Sequence, residues 1–111
     1  MSLDISFTAQ EGVVCPKCGE VVAARPVDCA ESGGRVWYDI LEELGYYVPY
    51  EQRTEENDWY GKDMVLTKEQ ADKVYMFVKK NCEYLYNGYA IKGLIASALA
   101  DGNSIVVNAD W

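Results

Sequence analysis

The sequence predicts a single α+β domain in which a small antiparallel sheet packs against two or three helices. Three observations predict it: a period-two apolar pattern at the start, two stripes of apolar residues at helical spacing in the middle, and a β-branched run at the end. The 111 residues suit one domain, 1–111, and their hydrophobic fraction of 50% is that of a folded chain rather than a disordered one.

Leu3, Ile5 and Phe7 alternate with Asp4, Ser6 and Thr8, as in a strand with one buried face. Val13-Val14 and Val21-Val22 flank a tight turn and predict a short hairpin, so residues 3–23 read as sheet. Pro26, Asp28, Ser32, Gly33 and Gly34 mark 24–34 as a loop. Val36, Trp37, Ile40, Leu41 and Leu44 then recur at helical spacing, with Gly45 placed to close the helix in a left-handed conformation. Pro49 stops any helix in the stretch 46–65, which either hides a short element or serves a purpose. Thr67 and Gln70 form a capping-box pattern, and Ala71, Val74, Val78, Cys82 and Leu85 follow on one helical face. Asn87-Gly88 interrupts that pattern and leaves two helices or one kinked helix open; Ile91, Leu94, Ile95, Ala98 and Leu99 continue the stripe to Gly102. Residues 104–111 close the chain as a strand expected to pair with the N-terminal sheet.

The turn of the hairpin reads Cys15-Pro16-Lys17-Cys18-Gly19. This motif resembles the knuckle of rubredoxins and zinc ribbons, and the resemblance, confined to residues 15–19, implies a zinc held by Cys15 and Cys18 as the first pair of ligands. A second knuckle is absent, and so is histidine. Cys29 in the predicted loop and Cys82 on the helical stripe are the remaining candidate ligands, against plainer readings as a loop thiol and a core residue; alternatively, two copies of the chain each donate Cys15 and Cys18 to one ion. Dithiol catalysis fits poorly, because the flanking valines favour a hairpin over a helix start. The Leu-Asp-Ile-Ser opening, the small size and the Asn-Ala-Asp-Trp end also resemble small uncharacterised proteins of bacteria and their phages, a resemblance that implies no activity.

A net charge of -8 disfavours nucleic-acid binding, which needs a concentrated basic surface. A start without basic residues or a long apolar run, together with the absence of a run of roughly 20 apolar residues, predicts a cytoplasmic protein without a membrane partner. The lack of histidine removes the commonest catalytic base near neutral pH, and no glycine-rich phosphate motif is present. Glu42-Glu43 and Glu55-Glu56 are sequence neighbours whose side chains diverge on a helix, so neither forms an acid/base couple. Tyr46, Tyr47, Tyr50, Trp59 and Tyr60 stand among Glu51, Glu55, Glu56 and Asp58. Tyrosine and tryptophan give large contact area at low entropic cost, so these five are the candidate partner-binding residues. The expected function is a small acidic, non-catalytic interaction or regulatory protein with an unknown protein partner, a zinc-stabilised hairpin and room for a homodimer. The alternatives are an enzyme using carboxylates or tyrosines in a cleft beside 46–65, and an acidic mimic of DNA.

Overall fold

In the computed structural model, which describes residues 3–14 and 21–111, the chain is an α+β fold. Its elements are β1 (Asp4–Val14), β2 (Val21–Gly33), α1 (Trp37–Glu43), a 3-10 turn (Tyr50–Gln52), β3 (Met64–Val65), α2 (Lys68–Asn81), α3 (Gly88–Asp101) and β4 (Ser104–Asp110). The four strands form one antiparallel sheet in the order β2-β1-β4-β3. The alternation at the start of β1 sets the register: Ile5, Phe7 and Ala9 lie opposite Ala109, Val107 and Ile105, and all six are buried on one face. Against that face pack Trp37, Ile40 and Leu41 of α1, Ala71, Val74 and Val78 of α2, and Ile91, Leu94, Ile95 and Ala98 of α3.

Trp37 joins the layers. Its ring lies 5.2 Å from that of Phe7 and 5.5 Å from that of Phe77. Its indole N–H donates to Ser32 Oγ at 3.0 Å, and the Ser32 hydroxyl donates in turn to the Tyr86 carbonyl at 2.5 Å. A buried indole thus keeps its hydrogen bond while tying the end of β2 to the α2–α3 connection.

The capping box forms as the sequence predicts, with Gln70 N–H donating to Thr67 Oγ1 at 3.2 Å and Thr67 N–H to Gln70 Oε1 at 2.9 Å. The Asn-Gly signal separates two helices rather than kinking one. Asn87 adopts φ 59° and its amide donates to the Glu31 carbonyl at 3.0 Å, while a side chain at buried Gly88 would overlap the backbone of Cys82.

Two boundaries differ from the sequence reading. The N-terminal strand and the first arm of the hairpin are one strand of 11 residues, β1. The stretch predicted as a loop at 24–34 is mostly strand, because β2 stays paired with β1 through to Gly33 opposite Asp4. Its turn-forming residues serve the sheet edge instead. Pro26 sits on an edge strand, where its missing N–H costs nothing, and Val27 is the extra residue of a bulge between the pairs Gln10↔Pro26 and Ala9↔Asp28. The Asp28 carboxylate accepts the Cys29 N–H at 2.9 Å and Asn87 covers the Glu31 carbonyl, so this edge is blunted against pairing with another strand. Because β4 pairs β1 only over Asp4–Gln10, the hairpin runs on past the sheet body as two strands to the pair Val14↔Val21.

Candidate functional site

The segment between Gly45 and β3 is fastened to the last residue of the chain. The Trp111 ring packs edge-on against Tyr60 at 4.9 Å, Tyr47 at 5.1 Å and Tyr46 at 6.2 Å. The Arg53 guanidinium stands 5.4 Å from the Trp111 ring and 5.8 Å from that of Tyr47, and its Nε and Nη2 donate to the Val48 carbonyl at 3.1 and 2.9 Å. Tyr38 of α1 lies 4.9 Å from Tyr47 and extends the cluster to the helical layer. The rest of the segment is pinned by polar contacts. Thr54 N–H donates to Asn57 Oδ1 at 2.7 Å, Tyr60 N–H to Asp58 Oδ1 at 3.1 Å, and Gly61 N–H to the Ala109 carbonyl at 2.8 Å.

Of the five aromatic residues predicted to bind a partner, Tyr46 is corrected to a core position. It is 0% exposed, and its hydroxyl accepts the Ala109 N–H at 2.8 Å while donating to the Lys62 carbonyl at 2.6 Å. The hydroxyl stands in for a strand: β3 begins only at Met64, opposite Val107, while β4 runs on to Asp110, and a side chain supplies the partner that the short strand does not. Burial pushes the Tyr46 phenol above its ordinary range, against the hydrogen bond from Ala109, and the carboxylates of Asp63 and Asp110 push it the same way as burial. Tyr47 and Trp59 are half-buried beside it. Tyr50 at 84% and Tyr60 at 48% exposure face solvent. Tyr50, Glu51, Arg53, Thr54, Glu55 and Asp58 surround a depression of about 530 Å3, with both glutamates exposed at its margin.

The cysteines are spread along the molecule. Cys15 and Cys18 lie outside the described residues. Cys29 is on a strand, exposed and opposite Thr8, six residues from Val14; at ~3.3 Å per residue it stands about 20 Å along the ladder from the pair Val14↔Val21. Cys82 is not on the core stripe, because α2 ends at Asn81; it is the half-buried C-cap, five residues before the Asn87 that reaches Glu31, at the opposite end of β2 from the hairpin tip. Among the described residues no group of three or more Cys, Asp or Glu is gathered for a metal. The ligand set of Cys15, Cys18, Cys29 and Cys82 is thus an expectation of the sequence, half of it outside the described residues.

Three further tyrosines escaped the sequence reading. Tyr84 and Tyr86 on the α2–α3 connection and Tyr89 in the first turn of α3 are largely exposed, and Cys82 and Glu83 beside Tyr89 raise its phenol pKa. Their signal was present as tyrosines crowded around the Asn-Gly break. No helix among the described residues is long and apolar enough to cross a membrane. Comparison with family models, curated proteins and solved structures returns no match to this chain.

Proposed function

We propose that this chain is a small acidic, non-catalytic interaction protein that receives a basic segment of a partner protein on the surface built by residues 47–60. The observation that carries this reading is the exposure of Tyr50 and Tyr60 on a segment held in place by Trp111 and Arg53, with Glu51, Glu55 and Glu56 exposed alongside. Aromatic faces attract lysine and arginine side chains, carboxylates attract their charge, and a segment already fixed loses little entropy on binding. A net charge of -8 steers a basic partner toward the chain. The enzyme reading has less support: Glu51 and Glu55 stand in water, and Asp58 is engaged with the Tyr60 N–H.

The test is a fluorescence titration with a short arginine-rich peptide, with its glutamate-substituted counterpart as control. Binding of the basic peptide alone, weakened by salt and reduced about tenfold by Tyr50→Ala, is the expected result, a tenfold change being ~1.4 kcal/mol. Equal affinity of wild type and Tyr50→Ala for the peptide would remove this surface from the reading. Binding of basic proteins only where DNA competes would favour the DNA mimic.

Zinc at Cys15 and Cys18 is supported by the Cys15-Pro16-Lys17-Cys18-Gly19 resemblance, a motif that itself supplies two thiolates per chain. A chain that retains zinc is therefore expected to share it between two copies. Elemental analysis of protein purified without chelator should read about half an ion per chain, and Cys15→Ser should abolish it. A full equivalent per chain would refute sharing, and metal-free protein with four reactive thiols would refute zinc altogether.

A further inference from the structure

Away from the aromatic segment, a groove of about 790 Å3 lies between α1 and α2. Ile40 and Phe77 supply apolar surface, Asp39 and Glu43 stand on the α1 side, and Asp72, Lys73, Lys79 and Lys80 stand on α2. Met76 lines it as well and is 62% exposed, although it sits mid-helix among residues that are otherwise charged where they meet water. An unbranched, polarizable side chain of this kind adapts well to a contact surface.

Asp72, Met76 and Lys80 fall at i, i+4 and i+8, on one stripe of α2. The acid and the base are each one turn from the methionine. Turned end to end, this stripe complements itself: an antiparallel copy centred on Met76 sets Asp72 against Lys80 of the second copy, and Lys80 against its Asp72. We propose that two copies of the chain pair through α2 about a two-fold axis at Met76, the Met76 ridge of each entering the groove of the other. Such a contact is isologous and closes at two copies. Lys73, three residues from Met76, is compensated within its own chain by Glu43 at 3.9 Å. Asp39, Glu43, Lys73 and Lys79 form the charged rim around the pairing stripe.

The experiment is sedimentation equilibrium of the full chain at about 0.15 M salt, where repulsion between two acidic molecules is screened beyond ~8 Å. Wild type is expected at the mass of two chains. Met76→Glu, Lys80→Glu and Asp72→Lys are each expected at the mass of one, with unchanged far-UV circular dichroism because all three positions are solvent-facing. An equimolar mixture of Lys80→Glu and Asp72→Lys chains should return to the two-chain mass, since both bridges then form, one as in wild type and the other with its charges exchanged. Monomeric wild type at millimolar concentration overturns the proposal. So does a dimer indifferent to all three substitutions, and one that only EDTA dissociates belongs to the hairpin tip.

Discussion

Replacing Tyr46 by phenylalanine is expected to lower stability by about 2–3 kcal/mol, although it removes a single oxygen. The ring packing survives, so the loss falls on the hydrogen bonds. The Ala109 N–H, buried at 2.8 Å from the hydroxyl, has no β3 residue to turn to because β3 begins only at Met64, opposite Val107, and an unpaired buried donor costs roughly 1–3 kcal/mol. The Lys62 carbonyl, 2.6 Å away, loses a donor at a partly buried site, which adds on the order of 1 kcal/mol. Urea unfolding is the measurement: the midpoint should fall while the slope stays constant, the mark of a change in stability without a change in compactness. The pH dependence gives a second readout. The folded-state pKa of Tyr46 lies above its ordinary value near 10, chiefly because burial disfavours the phenolate. The fold thus favours the protonated form; the stabilisation is complete below pH ~10 and is lost as pH rises through the folded-state pKa. The gap between wild type and Tyr46→Phe should be constant from neutral pH to about 9 and should narrow above 10. A gap that is flat through that range, or already absent at pH 7, would show that the hydroxyl is not a strand surrogate.

What the sequence revealed and what it concealed divide along the range of the interactions. The capping box at Thr67, the Asn87-Gly88 break and the alternation in β1 are local signals, and each fixes its element wherever the rest of the chain goes. The stretch 24–34 misled because proline, glycine and serine signal a loop locally, whereas here a ladder to residues some twenty positions earlier makes a strand and puts the same residues to work at its edge. Tyr46 misled for a related reason. Nothing near it in sequence shows that β4 outruns β3, so an aromatic among acids read as surface. The exposed tyrosines Tyr50 and Tyr60 were legible, but not the residue that holds Tyr60, since Trp111 meets it from the far end of the chain. The Asp72-Met76-Lys80 stripe was legible in principle as helical spacing. It went unread because attention to the apolar face of α2 discards the opposite face as solvated charge.

Trp111→Ala is the second substitution expected to have a large effect, with a loss of about 2–3 kcal/mol and a fall in Tm of roughly 10 °C. A fully buried tryptophan would cost more; Trp111 is half-buried, but it is the residue that Tyr46, Tyr47, Tyr60 and Arg53 share. Each edge-on aromatic pair contributes ~0.5–1.5 kcal/mol beyond its area, and the four contacts fail together. Binding is expected to fall further than stability alone explains. Under conditions where the variant is fully folded, Tyr50 and Tyr60 remain chemically intact, yet without Trp111 the segment carrying them must be ordered when the partner arrives, and that cost is subtracted from affinity. Titration of the arginine-rich peptide should thus show a drop for Trp111→Ala comparable to that for Tyr50→Ala. Trp111→Phe, which keeps a ring among the three tyrosines, should recover most of both stability and binding. If folded Trp111→Ala binds the peptide as wild type does, the aromatic cluster serves the fold alone, and Tyr50 and its neighbouring carboxylates act without a preorganised platform.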